Sequence, residues 1–249
     1  MREAVEQLLL PAECALCHTL LSFPNGQRLV CDVCRHRWRQ VRPPWCERCA
    51  QPEPHFGPCR ACTTWPRALR AVRSAVWLEG GARDAVHALK YGGFPRIADD
   101  LADAMARLPL PERVSACLVP VPLGPRRLRE RGYNQSAHLG RALARRWHRP
   151  VADLLVRVRD TGTQTALTPD ARLANVAGAF AMRNTEGGMR NDGTPFDSAF
   201  RIPHSALVLV DDVFTTGATL AEAARALERA GARTILAVTF GRAVLPDFT

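Results

Sequence analysis

Apolar residues fall into two regimes along the chain. Up to about residue 66 they are scattered among cysteines, prolines and charges with little periodicity; beyond it they gather into short runs separated by amphipathic stretches. The runs Ala71–Leu78, Ala116–Val121, Ala206–Val210 and Thr234–Phe240 are bounded by turn formers and predict buried strands, with a further strand around Leu154–Arg157. Helical spacing predicts helices over Ala82–Tyr91, stopped by Gly92-Gly93, and over Ile97–Leu108, ended by Pro109 and Pro111. Two more are expected near Ser136–Trp147 and over Thr219–Ala230. Strand and helix in alternation predict an α/β fold built on a parallel sheet. The stretch Asn184–Pro203, with Gly187-Gly188 and Asp192-Gly193, is too polar for a core and reads as a mobile insert.

A length of 249 residues suits one large or two small domains, and the change of regime favours two, 1–66 and 67–249. Hydrophobic residues at 47% and charged residues at 23% exclude wholesale disorder and collagen-like structure. No run approaches the roughly 18 apolar residues of a membrane helix, and Met1–Glu13 carries three glutamates around a short Leu8-Leu9-Leu10 run, so neither anchor nor signal peptide nor membrane insertion is expected. A net charge of +10 makes an anionic partner physically reasonable, either nucleic acid or a phosphorylated metabolite. Lys90 is the single lysine, however, and so arginine-rich a composition is also what a GC-rich coding sequence yields.

Eight of the nine cysteines lie between positions 14 and 62 as four CxxC pairs: Cys14 with Cys17, Cys31 with Cys34, Cys46 with Cys49, and Cys59 with Cys62. Two thiolates so spaced can turn onto one tetrahedral zinc ion, and a second pair closes a four-sulfur site, so eight supply two structural sites. Zinc is preferred to disulfides because every knuckle carries a vicinal pair and no export signal precedes them. Pairing in sequence order, 14/17/31/34 and 46/49/59/62, gives consecutive ribbons; an interleaved cross-brace is the alternative. Metal binding would supply folding energy, about 10–16 kcal/mol per site, to a segment with little core of its own. His18, His36 and His55 are substitute ligands that the eight sulfurs make unnecessary. Trp38, Trp45 and Trp65 can stack on bases or pack around the knuckles, and Cys117 reads as core.

The richest stretch is Leu207–Leu220, LVLVDDVFTTGATL. Its apolar run predicts a parallel strand that delivers Asp211 and Asp212 to the carboxyl edge of the sheet, where open α/β sheets bind ligands. Thr215, Thr216 and Thr219 offer hydroxyls, Gly217 permits close backbone approach, and the amides of Thr215–Thr219, Ala218 included, open a helix whose N-terminus favours an anion. The paired aspartates can hold vicinal ribose hydroxyls, or magnesium through them. Alternatively they merely precede a capped helix. The stretch resembles the phosphoribosyl pyrophosphate (PRPP) signature of type I phosphoribosyltransferases, with Phe214 where a smaller aliphatic is common.

Two further segments add to this. Val119–Gln135, VPVPLGPRRLRERGYNQ, sets Arg126, Arg127, Arg129 and Arg131 beside a strand end, where guanidinium forks can grip pyrophosphate or a nucleic-acid backbone, or simply form the exposed face of a helix. Arg157–Arg172, followed by Asn175, is polar, threonine-rich and suited to a lid. With the four CxxC pairs and Leu89-Lys90-Tyr91-Gly92-Gly93, these segments resemble the ComF family, also called ComFC or GntX-like proteins, over almost the whole chain. That resemblance implies a type I phosphoribosyltransferase-like parallel sheet behind an N-terminal double zinc ribbon, a cytoplasmic location and, in naturally competent bacteria, the handling of incoming single-stranded DNA beside a DNA-uptake helicase or translocase. It also implies PRPP binding at Thr215–Thr219 with Arg126 and Arg127, and Asp211 and Asp212 as the catalytic pair with magnesium.

Three functions follow. One is a DNA-uptake factor with a PRPP-type site. Another is a phosphoribosyltransferase acting on a nucleophile whose pocket is not readable. The third, a scaffold with a fossil site, is disfavoured because every hydroxyl and carboxylate of the loop is chemically competent.

Overall fold

The computed structural model describes residues 12–21, 28–52, 59, 61–110, 116–159, 176–183 and 206–243. The insert expected over Asn184–Pro203, residues 160–172 of the lid segment with Asn175, and His55 lie outside them. In chain order the elements are α1 (Asp32–His36), β1 (Leu69–Trp77), α2 (Gly80–Tyr91), α3 (Ile97–Met105), β2 (Cys117–Pro120), α4 (Pro125–Arg131), α5 (Gln135–Trp147), β3 (Leu155–Arg157), β4 (Phe180–Met182), β5 (Leu207–Phe214), α6 (Ala218–Arg229) and β6 (Ile235–Arg242). Four strands form a parallel sheet in the order β1-β6-β5-β2, as the alternation of runs predicts. β3 and β4 form a small antiparallel pair.

Several bounds differ from expectation for local reasons. β5 and β6 continue past Val210 and Phe240 because their pairing persists through Asp211↔Thr239 and Phe214↔Arg242. The two aspartates therefore lie within the strand rather than beyond it. α3 stops at Met105, where Ala106 caps it through its N–H to Ala102 O at 2.8 Å. β4 was not expected: three residues are too short for a period to show, and only pairing with β3 makes them a strand.

Alternation along each buried strand divides the core in two. Val208 and Val210 of β5 face α2, α3 and α5, whereas Leu207 and Leu209 face α6 and the β3–β4 pair. The cysteine-rich segment joins both halves. Cys14, Leu21, Val30 and Trp38 pack into the first core, and Cys49, Cys62 and Trp65 into the second. Residues 39–41 run antiparallel to β1, with Trp77 N donating to Arg39 O at 2.8 Å and Val41 N to Ala75 O at 3.2 Å, which covers the sheet edge. At the other edge Val151 pairs with Leu118. Polar contacts fix the first ribbon to α3: Leu29 N donates to Asp100 Oδ2 at 2.9 Å and Arg35 Nη2 to Asp103 Oδ2 at 2.8 Å. Burial pushes the Asp100 carboxyl above its usual range. Among the described residues no helix is long and apolar enough to cross a membrane.

Candidate functional site

Two knots of four sulfurs come together in sequence order, Cys14/Cys17/Cys31/Cys34 and Cys46/Cys49/Cys59/Cys62. In the first, Cys14 and Cys34 Sγ lie 4.0 Å apart and Cys17 and Cys31 Sγ 3.7 Å apart. In the second, the Cys46–Cys62 and Cys49–Cys59 separations are 3.8 Å and 3.5 Å. A tetrahedron with metal–sulfur bonds of about 2.3 Å has an edge of about 3.8 Å, so both knots fit zinc and are too open for disulfides. Burial raises the Cys62 thiol to about 12 and pushes Cys34 and Cys49 up as well, so a cation is what lets such sulfurs exist as thiolates. His18 and His36 belong to neither knot.

Guanidinium groups surround the second knot, opposing the charge that four thiolates would bring. Arg48 Nη1 donates to Cys62 O at 2.9 Å, and Arg73 Nη2 to Glu47 O at 2.8 Å. Arg242 Nη1 and Nη2 donate to Cys49 O and Gln51 Oε1, both at 2.8 Å. Trp38 and Trp65 pack rather than offer stacking faces to solvent, whereas Trp45 is half-buried. Trp38 meets Phe240 edge-on at 5.0 Å, and Trp65 meets Phe214 at 6.1 Å; both indoles are buried. Arg73 lies 5.5 Å from the Trp45 ring. Cys117 is buried in the core, as expected.

At the carboxyl edge of the sheet Asp211 and Asp212 are 8% and 4% exposed. Asp211 Oδ1 accepts from Ser136 Oγ at 2.9 Å and from Asp212 N at 2.9 Å. Burial foremost, then the neighbouring Asp212 charge, raises its carboxyl from 3.8 to about 7. Asp212 Oδ2 forms an ion pair with Lys90 Nζ from the last turn of α2. That ammonium is the partner that compensates the buried Asp212 oxygen.

The turn between α4 and α5 holds the pair in place. Gly132 adopts φ +79°, which ends α4 and turns the chain back. Tyr133 then donates its hydroxyl to Leu89 O, beside Lys90, and Asn134 Nδ2 donates to Val121 O at 3.1 Å. Asn134 Oδ1 caps α5 by accepting from Ser136 N at 3.1 Å. Lys90 and Ser136 were not singled out from the sequence as site residues. Lys90 being the single lysine in a chain of arginines is the signal that marks it.

Thr215–Thr219 follows directly. Gly217 sits at φ +79° as the N-cap of α6, with no side-chain cap there, and Thr216 Oγ1 accepts from Ala218 N at 3.4 Å. Thr215, Thr216 and Thr219 are half-buried, whereas Gly217 and Ala218 are buried. The carboxylates thus lie in the second half of β5, and the threonine turn follows at its carboxyl end. The four arginines stand on or beside the outer face of α4: Arg126 Nε bonds Glu130 Oε1 at 2.8 Å, Arg129 is exposed, and Arg127 is half-buried. Arg131 Nη1 reaches Gln135 Oε1 at 2.5 Å and lies 5.1 Å from the Tyr91 ring.

Comparison with known proteins agrees with this organisation. Residues 5–63 match the double zinc ribbon domain family. The DNA utilization protein YhgH of Salmonella typhi is 34% identical over 241 residues, which span 92% of this chain and 96% of that protein. The competence protein ComFC of Bacillus subtilis is 27% identical over 212 residues, 81% of this chain and 79% of that one. Competence protein F of Haemophilus influenzae is 33% identical over 130 residues, 52% of this chain and 49% of its own. With a double zinc ribbon, a parallel α/β sheet and full-length relatives of this kind, the chain belongs to the ComF family.

Proposed function

We propose that this protein acts in competence-type DNA uptake in the cytoplasm, handling single-stranded DNA, and that it binds PRPP or a related phosphosugar at the rim formed by Asp211, Asp212 and Thr215–Thr219. One observation carries the sugar-phosphate reading. Two buried carboxylates, one held by Ser136 and the other by Lys90, stand on the strand that leads into a glycine-opened helix N-terminus flanked by three threonines. Carboxylate oxygens accept from vicinal ribose hydroxyls, while the amides and hydroxyls of the turn hold a monophosphate. Magnesium fits this donor set in its usual manner, through one or two carboxylates plus the ligand's phosphates, and would neutralise pyrophosphate charge. The DNA reading is supported by the names of the relatives and by the +10 charge.

A second reading, transfer of ribose 5-phosphate to an unidentified nucleophile, is favoured by one feature. The carboxylates that would steady a developing oxocarbenium charge are held rigidly by Ser136 and Lys90.

Calorimetry with PRPP and magnesium tests the site. Binding is expected, and Asp211→Ala with Asp212→Ala should weaken it at least about tenfold, or about 1.4 kcal/mol. Undiminished binding by that variant, or none by the native chain, would overturn the assignment.

A further inference from the structure

Away from the carboxylate rim, a cleft of about 460 Å³ runs between α4–α5 and the β3–β4 pair. Its floor is apolar, including Pro120, Pro122, Leu123, Leu128 and Leu155. Tyr133 and His138 supply ring edges, packed T-shaped with centroids 5.3 Å apart. Arg141, Arg157 and Arg183 supply charge, against Asp153 as the one carboxylate of the lining. Arg183 is anchored by Nε donation to Asp153 O at 3.1 Å, and Arg157 lies 5.2 Å from the Phe180 ring. None of the arginines expected to bind DNA, 126, 127, 129 or 131, lines this cleft, although α4 forms one wall through Pro125 and Leu128.

We infer that this cleft is where single-stranded DNA binds, a base lying on the Tyr133–His138 and proline–leucine surface and the flanking phosphates meeting Arg141, Arg157 and Arg183. Apolar floor and cationic flanks match a nucleotide, whose base is flat and whose backbone is anionic. The volume suits a drug-sized group, on the scale of a single unstacked nucleotide. One turn links the cleft to the proposed sugar site. Tyr133 and Asn134 line it, and the same turn carries Ser136 to Asp211. The inference rests on the single-stranded DNA reading above and gives it an address.

The test is fluorescence anisotropy of a labelled oligothymidylate on the zinc-loaded full chain at several salt concentrations. Arg141→Gln with Arg183→Gln should lower affinity at least about tenfold and reduce the slope of log K against log salt by about 1.4, the value for two lost single-strand contacts. The matched duplex should bind at least about tenfold more weakly than the single strand. The companion Arg126→Gln with Arg129→Gln, on the outer face of α4, should cost less. A halogenated-uracil oligonucleotide should photocrosslink to Tyr133 or His138, a measurement that needs no variant to fold. Unchanged affinity and slope in folded cleft variants, or crosslinks confined to α4, would overturn the assignment while leaving DNA binding intact. Full competition by a free mononucleotide at equal concentration would make it a nucleotide pocket and overturn it too. No binding of the oligonucleotide by the native chain would instead remove the parent reading.

Discussion

Asp211 is held in a state unusual for a carboxylate. Burial among β5, β6 and α5, with Asp212 beside it, keeps its proton on to about pH 7, while Ser136 opposes that shift by donating to Oδ1. A group whose folded pKa lies above its unfolded value binds more protons when folded, so its contribution to stability is complete below about pH 4 and fades as pH rises through about 7. Each unit of difference is worth about 1.4 kcal/mol. Asp211→Asn should therefore gain stability over the native chain between roughly pH 5.5 and 8, a range that limits proton competition for the thiolates. Parallel melting-temperature curves of the two proteins across that range would contradict the account. The aspartates could be picked out from the sequence because a strand followed by a threonine–glycine turn places them. Their partners could not, since Ser136 is 75 positions away and only the folding of α5 against β5 brings it near.

At the scale of elements, the unit β5–turn–α6 was largely legible. Four apolar residues, two acids and a glycine before a helical run specify a strand, a rim and an N-terminus without reference to the rest of the chain. Hidden from sequence was what lies against the turn. A Cβ at Gly217 would stand 2.6 Å from Trp65 Cζ2 and 2.9 Å from Phe214 Cε2, and the residue already needs φ +79°. Both rings are buried and cannot swing aside freely. Gly217→Ala should therefore cost about 2–4 kcal/mol in denaturant unfolding, combining left-handed backbone strain with overpacking. A loss below about 1 kcal/mol would mean that Trp65 yields. The β3–β4 pair was only half legible: Leu155 of β3 and Phe180 of β4 both enter the core, but only the pairing with β3 reveals β4 as a strand.

For the whole molecule, CxxC spacing foretold two metal knots but not how they are attached. The first ribbon packs into the core beside α2 and α3, the segment between the knots covers one sheet edge, and the second ribbon inserts Cys49, Cys62 and Trp65 into the opposite core. Stripping zinc should consequently lower the melting temperature of the entire chain rather than melt the ribbons alone, and native mass spectrometry should count two zinc ions per chain. A sheet transition unmoved by chelation would show the attachments to be energetically idle. Arg242 gives the architecture a directional quality: one guanidinium holds the Cys49 carbonyl and lies 4.4 Å from the ring of Phe214, the residue just before the threonines. An oxidant that drew the second knot's sulfurs from 3.5–3.8 Å to the roughly 2.05 Å of a disulfide would pull on that carbonyl and loosen the aromatic wall behind Gly217. Peroxide should then weaken the proposed sugar-phosphate binding from a distance, with every threonine and aspartate chemically untouched.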